Sequence, residues 1–161
     1  MIQKKDLRKF NWKVLIVSLV IVYFVAYIGS LFTSNSVKSG WYQGIKPSIT
    51  PPNYVFPIVW NILFFLIALS LYFAWVSATK KEKRDIALIY GLNFVLNILW
   101  SVFYFGLKNP MLAFLEIIIL WLSIFGMISV AWRISRKASY LLIPYLIWVS
   151  FAVMLNFLSI K

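Results

Sequence analysis

Few side chains in this chain could do acid–base or metal chemistry. It has no histidine and no cysteine, and its only acids are Asp6, Glu82, Asp85 and Glu116. That removes the imidazole base, the commonest metal and haem ligand, thiol chemistry and a paired-carboxylate site. What remains is aromatic and neutral. There are eight Trp, nine Tyr and fourteen Phe, with a few amides and hydroxyls set among them. Asn93, Asn97 and Ser101 recur at i, i+4 and i+8, with Trp100 beside them. At helical spacing these three span about 80° of arc, a single stripe. Tyr145, Trp148, Ala152 and Asn156 share a similar arc, and so do Phe56, Trp60 and Phe64. Three such faces, converged, make an apolar pocket with a few polar anchors, the usual form of a small-molecule site. The same amides and hydroxyls also serve as interhelical glue, and both readings stay open on spacing alone.

Residues 40–52 read GWYQGIKPSITPP and hold Trp41, Tyr42 and three of the six prolines. Proline fixes φ, so such a loop loses less entropy on adopting one shape. A stiff aromatic loop suits a lid over a pocket mouth, or equally an interfacial anchor with turn prolines.

The elements that position these residues are membrane helices. The 161 residues are 63% hydrophobic and 12% charged, where a soluble domain carries about 25% charge. A span needs about 20 apolar residues. Five segments qualify, at about 12–32, 52–75, 86–107, 111–130 and 138–160. The expected fold is an all-α integral membrane protein, a five-transmembrane-helix bundle in one domain over 1–161. The first segment has a basic flank but too long an apolar run for a signal peptide, and no small-residue cleavage site follows, so it reads as a retained helix. Pro57 falls in the first turn of its helix, where a missing N–H costs little. Pro144 lies deeper and is expected to kink or loosen the fifth span and free a carbonyl near the pocket face.

The net charge of +12 is distributed by side. Lys4, Lys5, Arg8, Lys9 and Lys13, then Lys80, Lys81, Lys83 and Arg84, then Arg133, Arg136 and Lys137 fall on one side. Lys38, Lys46, Lys108 and Lys161 fall on the other. The positive-inside rule puts the N-terminus in the cytoplasm and the C-terminus outside. The charge is thus topological, with anionic lipid attraction as a by-product, and no basic run is interleaved with aromatics as in a nucleic-acid groove. With no transit peptide visible, a bacterial or archaeal plasma membrane is expected. Glu116 is the one acid inside a span. The favoured reading is a carboxyl satisfied by a neighbouring hydroxyl or indole; the other is a proton relay or cation partner. Ala87 and Gly91 form a small-xxx-small pair that suits a homodimer contact or packing within one chain.

Together these residues resemble the TspO/MBR family of tryptophan-rich sensory proteins and translocator (peripheral benzodiazepine receptor) proteins. The resemblance rests on Trp41-Tyr42, Lys46-Pro47, Pro51-Pro52, Phe56 and Trp60. It continues through residues 96–101 (LNILWS), Ala113 and Glu116, residues 141–148 (LLIPYLIW), Phe151-Ala152 and Leu155-Asn156, in order over about 12–160. It implies a ligand cavity open towards the first loop, often in a dimer. It also implies porphyrin ligands such as protoporphyrin IX, and benzodiazepine-site ligands. Carried over, the lid is Trp41, Tyr42 and Pro47, with Lys46 at the mouth to meet propionates. The walls are Trp60, Trp100, Tyr145, Trp148, Phe151 and Ala152, and the polar contacts are Asn97, Ser101 and the Trp60 indole. No cofactor or metal is required. Some family members are similar to light-dependent porphyrin-degrading proteins, which would give Trp60 and Trp148 a catalytic role. A porphyrin transporter is a third reading. Two departures stand out: Ile49 occupies a position commonly aromatic after Lys-Pro-Ser, and Phe157 stands where a proposed cholesterol motif wants Tyr.

Overall fold

The computed structural model describes residues 10–160. Lys4, Lys5, Asp6, Arg8, Lys9 and Lys161 lie outside the described residues. The chain forms α1 (Trp12–Thr33), α2 (Gly40–Ile45), α3 (Val55–Ser77), α4 (Lys80–Ser101), α5 (Pro110–Ile134), α6 (Arg136–Tyr140) and α7 (Ile143–Leu158). A 3₁₀ turn at Ser36–Lys38 precedes α2, and a π-turn at Val102–Gly106 extends α4. Five stretches are long and apolar enough to cross a membrane, the fifth comprising α6 and α7. The fold is an all-α five-helix membrane bundle.

Capping fixes where the helices start. Thr79 and Glu82 form a reciprocal capping box at α4, with Thr79 N donating to Glu82 Oε2 at 2.7 Å. Asn109 accepts from Leu112 N at 3.0 Å, and Pro110 follows at the first position of α5, where its missing N–H is no loss. Asn11 caps α1 in the same way.

The helices close into a ring. α1 packs between α3 and α4, α4 meets α5, α5 meets α6 and α7, and these return to α3. The half of the bundle nearer α6 is solid: Ile67, Ala74, Ile86, Ile124, Met127, Ala131 and Ala138 have at most 1% exposure.

Pro144 does more than kink the fifth span. The helix stops at Tyr140, turns through Leu141 and Leu142, and restarts as α7 with Pro144 in its first turn. A continuous helix would drive the pyrrolidine ring into the Tyr140 carbonyl, so the break is steric. The expectation of a carbonyl freed at the pocket face is also corrected. Leu142 N bonds Ser139 O, and Ala138 O is taken instead by Ser70 Oγ of α3 at 2.7 Å, in the buried half. Ser70 has one proton and spends it there, so Tyr90 of α4 donates to Ser70 Oγ at 2.6 Å. This knot ties three spans. Ser70→Ala orphans a buried carbonyl and a buried hydroxyl, and is expected to cost about 1–3 kcal/mol, read as an earlier midpoint in denaturant titration of the detergent-solubilised protein.

Candidate ligand cavity

Towards the α2 end the ring opens into a cavity of about 610 Å³, within the size range of small-molecule sites. α1, α3, α4, α5 and α7 all contribute to its wall. The reason is in the sequence of α4. Its inward face changes from Ile86 and Tyr90 to Asn97 and Ser101, which are smaller or polar and fill less of the centre.

The roof is α2, a single helical turn and a half where the sequence suggested a loop. Ser39 caps it by accepting from Tyr42 N at 3.3 Å. Adjacent helical residues point about 100° apart, so Trp41 and Tyr42 cannot both face inward. Tyr42 does: it is 6% exposed, lines the cavity and packs against Tyr104 and Phe105. Burial, and then the neighbouring Tyr104, push the Tyr42 phenol up to about 12, so it stays a neutral donor at physiological pH. Trp41 instead meets Tyr104 edge-on at 5.9 Å and lines a separate outer depression with Lys108 and Asn109. Pro47 and Thr50 line the mouth. Lys46 is exposed and does not line the cavity.

Aromatic walls follow. Trp60 lies 5.3 Å from Phe64, and Phe56 meets Trp148 edge-on at 5.9 Å. Trp100 stacks on Tyr104 at 5.2 Å and 25°. The π-turn after Ser101 sets this arrangement, because it turns both Tyr104 and Phe105 inward. Trp60, Trp100, Trp148 and Ala152 all line the cavity. Phe151 packs against Trp148 at 5.7 Å from outside the cavity wall. Tyr145 is fully buried beneath the floor.

Tyr145 acts on the site through hydrogen bonds. Ser123 Oγ donates to Leu120 O at 2.6 Å, so it must accept from Asn93 Nδ2 at 2.8 Å. That points Asn93 Oδ1 at the Tyr145 hydroxyl, which donates to it at 3.2 Å. The Tyr145 oxygen then accepts from Asn97 Nδ2 at 3.2 Å. One carbonyl thus dictates the orientation of the whole chain, and Asn97 is left with its carbonyl oxygen and second N–H for the cavity. Of the stripe 93, 97 and 101, Asn97 and Ser101 line the cavity while Asn93 is spent in the core. Trp100 donates to Asn156 Oδ1 at 3.0 Å, so its indole N–H is engaged within the wall.

Glu116 corrects the sequence expectation. It is 5% exposed, and neither carboxyl oxygen has a hydrogen-bond partner among the described residues. Nor does it line the cavity. The hydroxyl and indole groups expected to satisfy it are committed elsewhere: Ser123 to Leu120 O, Trp121 to Ser150 and Trp100 to Asn156.

The largest group of lining residues that sequence reasoning missed is on α1; Asn61, Tyr104, Phe105 and Leu120 are others. Tyr23, Ala26, Tyr27, Gly29, Ser30 and Thr33 all line the cavity. A signal was present: Tyr23, Tyr27, Ser30 and Ser34 are at i, i+4, i+7 and i+11, a polar stripe in an otherwise apolar helix. Among the described residues the lining holds no carboxylate, imidazole, thiol or ammonium group. Such a wall binds by stacking, burial and neutral hydrogen bonds.

The residues that build this roof and these walls fall within a stretch that matches a known family. Residues 16–160 match the TspO/MBR family. The chain belongs to the TspO/MBR family. It is 42% identical over 147 residues to the tryptophan-rich protein TspO of Archaeoglobus fulgidus, covering 89% of this chain and 92% of that protein. It is 34% identical to protein CrtK of Rhodobacter capsulatus, with 87% and 89% covered. It is 30% identical to the translocator protein of Ovis aries, with 73% and 71% covered. The TspO/MBR assignment makes this an integral membrane protein with bacterial, archaeal and animal relatives.

Proposed function

We propose that this TspO/MBR protein is a membrane receptor or sensor that binds planar tetrapyrroles, protoporphyrin IX above all, and ligands of the benzodiazepine-site type in the cavity beneath α2. The observation that carries this reading is the meeting of Trp60, Trp100 and Trp148 from three helices around one apolar space with Asn97 and Ser101 between them. A porphyrin is a flat apolar disc with anionic edges. The disc stacks on indoles, and the edges find amide and hydroxyl donors at Asn97, Ser101 and Tyr42. Lys46, exposed at the mouth, draws the anionic ligand in at long range instead of touching it.

The experiment is a dark titration followed by tryptophan emission, with protoporphyrin IX and haem compared. No histidine or cysteine exists to ligate iron. Metal-free porphyrin is therefore expected to bind at least as tightly as haem. Much tighter haem binding with a six-coordinate spectrum would overturn this. Light-driven loss of the porphyrin bands, absent in Trp148→Phe, would move the protein to a light-dependent enzyme.

The N-terminus is proposed to face the cytoplasm, with α2 outside. Lys83 sits 5.6 Å over the Trp75 ring, and Arg136 lies 3.8 Å over Trp132, an arrangement suited to the basic interfacial belt of a cytoplasmic face. A homodimer through α4 is a further proposal. Ala87 is exposed, and a β-carbon on Gly91 would meet nothing within 4 Å, so this face is open in the single chain.

A further inference from the structure

We propose that the gap between α1 and α3 is a lateral port, through which the cavity takes membrane-dissolved amphiphiles from the leaflet on the α2 side. This rests on the reading of the cavity as a binding site, and adds where its ligands come from. On the α1 bank, Tyr23 and Tyr27 line the cavity and yet are 38% and 60% exposed on the outside of the bundle. On the α3 bank, Pro57 and Asn61 likewise line the cavity and are exposed. A side chain that both lines an interior space and reaches the outer surface stands at an aperture.

The aperture lies at acyl-chain depth. From Tyr23 to Ser34 is eleven residues, about 16 Å of helix, and the hydrocarbon core is about 30 Å thick. The port therefore opens to one leaflet's chains. Towards the other face α1 and α3 close, with Val22, Leu63 and Ile67 all buried in the common core.

Its rim has the chemistry of an amphiphile's path. Bare hydroxyls and amides are costly against lipid, but here backbone carbonyls of the same helix satisfy them. Ser30 Oγ donates to Tyr27 O at 2.7 Å, and Asn61 Nδ2 donates to Pro57 O at 2.8 Å. Each keeps acceptor capacity for a passing polar group. One bond crosses the gap at its foot: the Tyr23 hydroxyl donates to Asn61 O at 3.3 Å in an exposed setting. The competing route, through the roof, must lift Tyr42 from its packing against Tyr104 and Phe105. Among the described residues one long hydrogen bond spans the port, whereas the roof is closed by a buried aromatic cluster.

The test uses protein reconstituted in liposomes whose bilayer already carries protoporphyrin IX, with binding followed by stopped-flow tryptophan quenching. Ala26→Phe puts a ring into the port. Association and dissociation are expected to slow together, at least tenfold, as for a blocked path; a lost contact would instead speed dissociation. Tyr23→Phe removes the crossing bond and is expected to speed association at least threefold. Rates within twofold of the native protein in both folded variants would overturn the port. If protoporphyrin IX does not bind the native protein, the binding reading fails and the port is judged by another probe. The chain has no cysteine, so Ala152→Cys on the cavity wall is a single reporter. A bilayer-dissolved maleimide is expected to label it at least tenfold faster than a charged, membrane-impermeant one, and Ala26→Phe is expected to abolish that advantage. Equal labelling by both reagents, or labelling indifferent to Ala26→Phe, would contradict the port.

Discussion

Ala152→Trp is expected to weaken protoporphyrin IX binding at least a hundredfold while leaving the bundle folded. Ala152 is half-buried on α7, one helical turn beyond Trp148, and its methyl group faces the cavity. An indole added there fills space that the packed core does not use. Overpacking a solid core costs about 1–3 kcal/mol, but a ring entering a cavity of about 610 Å³ displaces no neighbour. The ligand, which needs the same space, is excluded. The paired measurement is quenching affinity together with the thermal midpoint in detergent. Lost binding with a midpoint within about 3 °C would place the ligand in this cavity. Binding retained at native affinity would place the ligand elsewhere.

Glu116→Met is expected to stabilise the protein, an unusual sign for a buried substitution. A buried polar group without a partner costs about 1–3 kcal/mol relative to an apolar group of similar shape. Both Glu116 oxygens are in that position, and Met offers a flexible side chain of similar length. On its own helix Glu116 is flanked one turn either way by buried Ala113 and Leu120, both apolar, although the buried Tyr145 is also near enough to feel its charge. The expected gain is about 1–3 kcal/mol, read as a higher midpoint in denaturant or heat. A fall in stability would show that the carboxyl has a partner of its own, such as a bound water or a cation.

The bundle was legible because membrane insertion needs little beyond length and composition. Runs such as 111–130 are long and apolar but for Glu116 and two serines, and Thr79-x-x-Glu82 and Asn109-Pro110 mark helix starts through local chemistry alone. The stripe on α4 was legible for the same local reason, since Asn97 and Ser101 must share a face wherever the helix lies. What local pattern could not show was depth. Tyr145 is only about 60° round α7 from Trp148, but it lies a turn nearer the solid half, so it supports the floor without lining the cavity. Phe151, about 60° the other way, falls outside the wall. In the roof, α2 holds two glycines in six residues and has weak helix propensity, so its helical form comes from the Ser39 cap and from packing on Tyr104. The α1 stripe was overlooked because tyrosine and serine are unremarkable singly in an apolar run. Only the approach of α3 and α4 makes it a wall. Glu116 was misread because a carboxyl's partner is a tertiary fact: the sequence held hydroxyls and indoles enough, but each had another claimant.

On this reading the tryptophan-walled space beneath α2 holds a porphyrin. The most direct measurement is a dark equilibrium titration of the purified protein with protoporphyrin IX, following tryptophan emission in the native chain and in Ala152→Trp side by side. Saturable quenching at one porphyrin per chain is expected in the native protein, and only the weak, non-saturating quenching of detergent-dissolved porphyrin in the variant. Saturable quenching of equal affinity in both, or in neither, would contradict it.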